Sequence, residues 1–225
     1  ASGLARLEVS TDGGATWVVA GAFTPSASLT LGADGIYAVV VRVTDAFGNT
    51  TVSTQSVQLD TAAPTIAAAL TAAPAGNNGW YDVGTTATLA YSASDGTISA
   101  RLDSAIALGA PGLIDLDSLA AGAHTIVVTA VDAAGNVSTR TITFEVHATL
   151  AGLVAAVNDG AVRGKITSTT QSTLVSQLKS AMSGNSAHAK LPGVITTVQQ
   201  QSGKTIDAAY AALLLSWAND LYARV

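Results

Sequence analysis

Oxygen-bearing side chains recur at a fixed spacing in two stretches of the chain, D-A-F-G-N and D-A-A-G-N. Asp45 and Asn49 delimit the first stretch, and Asp132 and Asn136 delimit the second, 87 residues later. Ca²⁺ takes several oxygen ligands, so these four residues are candidate calcium ligands. The competing interpretation is structural, because Asp and Asn side chains hydrogen-bond the backbone of their own turn. The sequence favours the structural turn, since neither motif has the acidic density of an EF-hand loop.

Adjacent aromatic residues offer a second kind of chemistry. Trp80 and Tyr81 lie in the Gly- and Asn-rich stretch N-N-G-W-Y and are candidate carbohydrate contacts, since exposed rings stack on sugars. Trp17 lies in a strand pattern and Trp217 on the apolar face of a helical pattern, so both are predicted to be core residues.

Carboxylates and histidines show no catalytic arrangement. Glu8 and Glu145 lie in separate strand patterns, whereas a glycosidase needs two carboxylates facing one cleft. Asp115 and Asp117 alternate along a predicted strand and are expected on its solvated face. The histidines are widely separated and are expected at surfaces or boundaries: His124, His147 and His188. The sequence predicts no catalytic residue and no cofactor, with calcium as the one alternative.

Composition excludes several classes of protein. Hydrophobic residues make up 48% of the 225 residues and charged residues 11%, which is typical of a folded chain. The net charge is -5 and no basic run occurs, so a nucleic-acid surface is not expected. The chain has no Cys, which excludes disulfides, zinc–thiolate sites and thiol nucleophiles. The longest apolar run, 208–218, is too short to span a bilayer, so no transmembrane segment is expected.

Short alternating segments up to about residue 146 predict an all-β region. The strands predicted before Asp60 are LEVST, TWVVA, SLTLG, GIYAVVVRVTD and TTVSTQSVQLD, and about six more follow Pro64. Alignment of Asp45 with Asp132 superposes two hairpins that share the same turn. We therefore predict tandem copies of one β-sandwich.

The two copies are unequal in length. The first copy lacks the region that corresponds to T-I-A-A-A-L through Y-S-A-S-D in the second. A sandwich without its first strands exposes an edge and part of its core. Two explanations remain open, with the first favoured: the chain is a piece of a longer protein, or a strand from a partner fills the gap.

Helical spacing replaces strand alternation after His147 and predicts about four helices over 148–225. The expected boundary residues are Thr149, Gly160, Gly184, Pro192 with Gly193, and Thr205 as the last N-cap with Asp207 in the first turn. The expected inward-facing residues are Leu150, Leu153, Val154, Val157, Leu174, Leu178, Ala181, Met182, Val194 or Ile195, Val198, Ile206, Tyr210, Leu213, Leu214, Trp217 and Leu221.

Phrases such as LEVSTDGGATW, VTDAFGNTT, AVDAAGNVS and LDTAAPTI resemble those of bacterial immunoglobulin-like repeats in secreted and cell-surface proteins. The stretches GKITSTTQSTLVSQLKSAM and QQQSGKTIDAAYAALLLSWANDL resemble the FIMAH-type helical domain at the ends of secreted bacterial hydrolases and lyases. The expected domains are a partial immunoglobulin-like β-sandwich over 1–61, a complete one over 62–147, and a helical bundle over 148–225. The resemblance implies an extracellular or cell-surface location and supplies no catalytic residues.

The resulting expectation is a non-catalytic, C-terminal spacer and presentation segment of a larger exported bacterial surface protein or secreted enzyme. One alternative is a carbohydrate-binding accessory module of a secreted glycosidase or polysaccharide lyase. A second alternative is a fibre subunit that assembles by β-strand addition. The expected partners are upstream domains of the same polypeptide, a polysaccharide or a cell-surface protein, and not nucleic acid.

Overall fold

The computed structural model describes residues 3–20, 28–71, 79–183 and 187–225. The chain divides into two compact units. Unit 1 comprises Ala1–Pro64 with Asp132–Asn136, and unit 2 comprises Thr65–Val131 with Val137–Val225. The second sandwich and the helices therefore belong to one unit, while the three-domain division expected from the sequence stays a prediction.

Unit 1 contains one antiparallel sheet within its described residues. Its strands are β1 (Leu4–Ser10), β2 (Val18–Val19), β3 (Gly35–Asp45) and β4 (Thr50–Leu59), in the order β2-β1-β3-β4. The predicted turn at Asp12-Gly13-Gly14 lies between β1 and β2, and both glycines have positive φ, 74° and 97°. Such a backbone suits Gly, because it lacks the Cβ that resists this conformation.

Unit 2 begins with two packed sheets. Its strands are β5 (Ile66–Leu70), β6 (Tyr81–Asp82), β7 (Thr86–Ala93), β8 (Thr97–Leu102), β9 (Ile106–Leu108), β10 (Gly112–Asp115), β11 (Gly122–Val131) and β12 (Val137–His147). One sheet has the order β10-β7-β5 and the other β6-β12-β11-β8-β9. In immunoglobulin lettering these are E-B-A and A′-G-F-C-C′, which is an immunoglobulin-like sandwich.

The sheet of unit 1 matches one of these two sheets. Strands β1 to β4 correspond in order to β8, β9, β11 and β12, and the two F–G hairpins share the same Asp–Asn turn. The described residues of the first copy contain no equivalent of β5, β6 or β7. The chain therefore consists of tandem immunoglobulin-like β domains, the first incomplete at its N-terminal side, followed by helices, as predicted.

The strand predicted at S-L-T-L-G is wrong, because residues 28–34 form no strand. The stretch of the second copy that matches residues 28–34 begins where β10 ends. β10 is held in its sheet by pairing with β7. A strand persists only where a neighbour satisfies its backbone groups. The first copy offers no such neighbour among its described residues.

The described part of the C-terminal region forms α1 (Leu150–Val162), α2 (Ser168–Met182), α3 (Ala187–Gln201) and α4 (Ala208–Arg224). Thr149 caps α1, as predicted, by accepting from Gly152 N at 3.0 Å. The expected end of α2 at Gly184 lies outside the described residues.

Three predicted helix boundaries are wrong. α1 continues past Gly160, and Pro192 lies inside α3. The cap of α4 is Asp207, whose Oδ1 accepts from Tyr210 N at 3.1 Å. Thr205 instead donates to Gln201 Oε1 at 2.8 Å. Gly160 is required by packing rather than by helix termination, because a Cβ there would clash with the ring of Tyr210.

One hydrophobic core runs from the sandwich into the helices of unit 2. Leu89 and Ile126 in the sandwich are fully buried, as are Leu174, Leu178 and Trp217 in the helices. Most of the helical positions expected to face inward do so, but Met182 is half exposed. The bundle is therefore not an independent globule on a flexible tether, since it shares its core with the sandwich.

Candidate functional site

The first Asp–Asn motif closes its own turn. Asp45 Oδ1 accepts from the backbone N–H groups of Phe47 and Asn49, each at 2.9 Å. Asp45 Oδ2 accepts from Asn49 Nδ2 at 2.9 Å. Gly48 has a φ of 87°, which the turn requires.

The second motif repeats this geometry. Asp132 Oδ1 accepts from Asn136 N and Oδ2 from Asn136 Nδ2, both at 2.9 Å. The Asn136 side chain holds the pKa of Asp132 below its usual value, against the opposing effect of burial. Among the described residues no group of three or more His, Cys, Asp or Glu side chains could hold a metal ion. Calcium binding at the two turns therefore stays a prediction.

The structure separates the two aromatic candidates. Tyr81 is only 6% exposed, packs edge-on against Phe144 at 5.7 Å, and donates its hydroxyl to the Thr71 carbonyl. Burial raises the pKa of Tyr81. Trp80 is half-buried, with His147 edge-on at 4.9 Å and the Arg224 guanidinium 5.3 Å from its ring centroid. Only the Trp80 ring is therefore accessible enough to contact a sugar.

Trp80 lies beside the contact between sandwich and helices, which we call the docking seam. Its residues are Asp82, Gly84, Leu119, Ala121 and His147 from the sandwich, and Thr149, Gly152, Ser216, Trp217, Asp220 and Arg224 from the helical part. The docking seam combines hydrogen bonds between sandwich and helices with close approach of their backbones.

Helix α4 is anchored to the segment that follows β10. Trp217 is fully buried and its indole N–H donates to the Leu119 carbonyl at 2.7 Å. One residue away, Ser216 Oγ accepts from Ala121 N at 2.9 Å. A buried Trp combines a large apolar contact with one directional hydrogen bond, so it fixes both the distance and the rotation of the helix.

Helix α1 is anchored to the end of β6 and to the loop that follows it. Asp82 accepts from both the backbone N–H and the hydroxyl of Thr149, the N-cap residue. The backbones come so close that a Cβ at Gly152 would lie 2.5 Å from Asp82 Oδ1 and from Val83 O. A Cβ at Gly84 would lie 2.8 Å from the Ala155 Cβ. Only Gly fits at these two contact positions without displacing a neighbour.

A charged cluster closes the end of the seam. Asp220 Oδ1 lies 2.8 Å from His147 Nδ1, and its Oδ2 accepts from Ala148 N at 3.0 Å and from Arg224 Nη2 at 2.7 Å. Glu145 Oε2 lies 3.0 Å from the other ring nitrogen of His147. Burial acts to raise the pKa of Asp220, but these hydrogen bonds outweigh it and the pKa is lowered.

Asp115 and Asp117 do not share a solvated strand face, so that prediction is wrong. Asp115 ends β10 and caps a 3-10 turn over Leu116–Ser118, and its Oδ2 accepts from Arg163 at 2.6 Å. Asp117 is 6% exposed and accepts from Gly84 N at 2.6 Å. Burial raises the pKa of Asp117 above its usual value, and the Asp115 and Asp159 carboxylates add to the effect.

The three histidines occupy three different environments. His124 is buried, contrary to expectation, between Asp103 Oδ2 at 2.7 Å and the Ala120 carbonyl at 2.9 Å. His147 lies in the docking seam, and His188 stacks on Tyr222 at 4.3 Å.

The two glutamates lie in different units. Glu8 is buried and pairs with Arg42 at 2.8 Å, with the Arg42 guanidinium 4.0 Å from the centroid of the half-buried Trp17 ring. Glu145 lies in unit 2, beside His147. The two carboxylates therefore do not form a glycosidase pair in either unit.

Sequence reasoning missed the docking seam. Trp217 was expected in the core, but the sequence did not indicate that its partner is Leu119. The sequence signal for this contact was the pair of glycines Gly84 and Gly152, because an isolated glycine often marks a site where another backbone approaches closely.

No protein-family model matches the chain, and no curated protein matches it. Several solved structures are similar. Fibronectin(III)-like modules of Clostridium thermocellum CbhA match at a TM-score of 0.37 and 20% identity, over 65% of this chain and 80% of theirs. A 1.5-MDa bacterial ice-binding adhesin matches at 0.35 and 12%, over 66% of this chain and 55% of its own. A tetra-tandem repeat from the extending region of a large adhesion protein matches at 0.31 and 21%, over 66% and 42%.

Each of these TM-scores is below 0.5 and each identity below 25%, so they say nothing of a ligand or partner for this chain. Among the helices in the described ranges, none is both long and apolar enough to cross a membrane.

Proposed function

We propose that the chain is a non-catalytic spacer and presentation segment of an exported bacterial protein, located outside the cell or on its surface. In this proposal the sandwich of unit 2 holds the helical bundle in one fixed orientation for a partner. The bundle is the proposed FIMAH-type domain, with domain boundaries near residues 61 and 147.

The observation that carries the proposal is the docking seam. Trp217 and Leu119 fix α4, and Asp82 and Thr149 fix α1, so two helices are anchored at separate points. Two separated anchors prevent the helical bundle from rotating on the sandwich as well as from detaching from it. A shared core adds apolar burial at about 25 cal/mol per Å². A helical bundle that moved independently of the sandwich would not form these anchors or share its core.

The carboxylates of unit 2, in the seam and outside it, support a structural role. Asp82, Asp115 and Asp220 each accept hydrogen bonds from neighbouring backbone or side-chain donors of unit 2. A catalytic carboxylate must instead reach a substrate proton or a reacting carbon. Among the described residues of unit 2, Asp117 is the most buried carboxylate, and its Oδ1 is bound to Gly84 N.

Force spectroscopy on the full chain, held at its two ends, tests the proposal. The sandwich and bundle share one core over residues 65–225, so they should unfold in a single event that releases roughly 55 nm at about 3.5 Å per residue. A separate early event of roughly 26 nm, the length of residues 150–224, would mean that the bundle detaches and is not held in place.

A second measurement addresses catalysis. The full chain should leave a panel of neutral and acidic polysaccharides uncut, with reducing ends and unsaturated products both monitored. Turnover by the unmodified chain would overturn the non-catalytic proposal, and Asp117→Asn and Asp220→Asn would then show whether either carboxylate is needed for it.

The carbohydrate-binding alternative depends on Trp80. Its indole Nε1 is buried without a hydrogen-bond partner in the described part of the chain, while part of the ring stays exposed. Trp80→Ala should abolish glycan-array binding if this alternative holds, whereas Trp17→Ala, in unit 1, should retain it. An array without signal for the unmodified chain would remove the alternative.

A further inference from the structure

The lysines of the chain are concentrated in one part of it. All four lie within residues 160–206, a stretch that contains no Asp or Glu. They are Lys165, Lys179, Lys190 and Lys204. The whole chain has a net charge of -5, so this stretch, which includes α2 and α3, is basic within an acidic protein. Lys165 Nζ lies 3.5 Å from Asp207 Oδ2, just beyond the end of the stretch.

The other three lysines are exposed and have no acidic partner. Lys179, Lys190 and Lys204 form no ion pair within the part of the chain that the structure describes. Lys190 Nζ donates at 2.8 Å to both the carbonyl and the hydroxyl of Ser180, which joins α3 to α2 and leaves the ammonium charge unneutralised. Three positive charges are therefore available to an anionic ligand.

Two Gly-Lys turns meet at one end of α2. Residues 164–167 precede α2 and residues 203–206 precede α4, and the Gly at the start of each turn has a φ of 70°. Thr167 N donates to the Thr205 carbonyl at 2.9 Å, so the two turns lie side by side. Together they line a groove of about 550 Å³, to which each turn contributes one lysine.

A second groove lies between α2 and α3. It has a volume of about 510 Å³ and is lined by small or polar residues: Ser176, Gln177, Ser180, Ala189, Lys190 and Gly193. Ser168 follows the first Gly-Lys turn, and Ser180 lies about 18 Å further along α2, at 1.5 Å per residue. A ligand that reaches both grooves must therefore be extended.

From these observations we infer that α2, α3 and the two Gly-Lys turns form a binding face for an acidic polysaccharide. We call it the basic face and define it by Lys179, Lys190 and Lys204 with the two grooves. An extended chain of uronic acid sugars carries carboxylates that accept from the lysines, and hydroxyl groups that pair with the polar side chains of the grooves. The exposed side of α2 adds further hydroxyl groups: Ser168, Thr169, Ser172 and Thr173.

The composition of the basic face disfavours other polyanions. Duplex DNA carries one charge per about 1.7 Å of its axis, a far denser charge than three separated lysines match. Single-stranded nucleic acid stacks on aromatic side chains, and residues 160–206 contain no Phe, Trp or Tyr. A helix that lies on a membrane needs a wide apolar face, whereas the exposed residues of α2 are mostly Ser, Thr and Lys.

The inference rests on the proposed presentation role and deepens it. The docking seam takes its helical contacts from α1, α4 and Thr149. The exposed residues of α2, α3 and the turn at 203–206 therefore stay available to a partner while the bundle is docked.

Calorimetric titration of the full chain with polygalacturonate oligosaccharides tests the inference, with uncharged dextran oligosaccharides as the ligand control. Polygalacturonate should bind, and more weakly as salt is added, because salt screens exposed charges. The double variant Lys179→Gln with Lys204→Gln should bind about threefold to tenfold more weakly, since each exposed charge contributes modestly. Circular dichroism checks that this variant stays folded.

The matched control is Arg101→Gln with Arg140→Gln, which removes the same charge from exposed positions of the sandwich. It should change the affinity less than about twofold, because neither arginine lies on the basic face. The inference is overturned if polygalacturonate does not bind, if dextran binds as tightly, or if the two double variants bind polygalacturonate equally well.

The inference is also overturned if a single-stranded oligonucleotide or phosphatidylserine vesicles bind more tightly than polygalacturonate at the same salt concentration, since the partner would then belong to that class. A docked bundle that fails to bind polygalacturonate would overturn the inference and leave the presentation role standing. A bundle that detaches early under force, in a chain that still binds polygalacturonate, would overturn the presentation role and leave the basic face as the binding site.

Discussion

The indole N–H of Trp217 donates to the main-chain carbonyl of Leu119 at 2.7 Å, and so joins α4 to the sandwich across 98 residues of sequence. The side chain that makes this bond is fully buried. At this buried position, the Leu119 carbonyl has no water molecule that could replace the indole N–H as its hydrogen-bond donor. The bond therefore supports both the stability of unit 2 and the orientation of its bundle.

Trp217→Phe should lower the free energy of unfolding of unit 2 by about 2 kcal/mol, because it keeps most of the apolar contact and leaves the Leu119 carbonyl unpaired. Trp217→Ala should cost about 3–5 kcal/mol, since a cavity is added. Chemical denaturation followed by circular dichroism measures both. Trp17→Phe, in unit 1, should leave the unit 2 transition in place. Equal stability of Trp217→Phe and the unmodified chain would show that the hydrogen bond contributes nothing.

Gly152→Ala should destabilise unit 2 by about 1–3 kcal/mol, because its Cβ would press on Asp82 Oδ1 and Val83 O and force the α1 anchor apart. Gly193→Ala is the matched control, since it also lies inside a helix but meets nothing within 4 Å. That change should stabilise the protein by about 0.5–1 kcal/mol through helix propensity. Thermal melts of the two variants should therefore shift in opposite directions, and a shared direction would contradict the close-approach explanation.

Local patterns predicted the repeat, the incomplete first copy and most of the helix faces. Hydrophobic periodicity and turn-forming residue types can be recognised within a few consecutive residues. Local patterns gave wrong predictions where a contact between residues far apart in the sequence determines the structure. Asp115 and Asp117 show the spacing of a strand, yet the chain there closes into a 3-10 turn, and Asp115 binds Arg163 at the end of α1. Gly160 has the residue type of a helix end but serves contact with Tyr210, 50 positions further on.

Asp117→Asn should stabilise the protein at neutral pH. Burial raises the pKa of Asp117 in the folded state above its ordinary value of 3.8, so the ionised carboxylate destabilises the fold. The stability that depends on its proton is complete below 3.8 and is lost as pH rises through the folded pKa. Asn keeps an oxygen for Gly84 N and carries no charge, so its advantage should grow across that window. Urea denaturation from pH 3 to 7 measures this, and an advantage that is greatest in acid would contradict the assignment.

Asp220→Asn should have the opposite pH dependence. Hydrogen bonds from Arg224, Ala148 N and His147 overcome burial and lower the pKa of Asp220 below 3.8. Its stabilising contribution is therefore present above 3.8 and is lost as pH falls through the lowered pKa of the folded state. At neutral pH the variant should lose about 1.5–3 kcal/mol, the range for a charged hydrogen-bond acceptor. The loss should shrink in acid, and a constant loss across pH would mean that the charge of Asp220 is irrelevant.

Asp132→Asn tests whether the repeated turn is structural or binds calcium. In the turn, Asp132 Oδ2 accepts from Asn136 Nδ2. The variant side chain would either place its own amide N–H donor against the Asn136 donor or lose this hydrogen bond. The variant should therefore be less stable, and the loss should be the same in calcium and in a chelator. Asp45→Asn provides the parallel measurement in the first copy, whose turn has the same hydrogen bonds. If calcium instead raises the melting temperature of the unmodified chain and both variants lose that rise, the carboxylates are metal ligands.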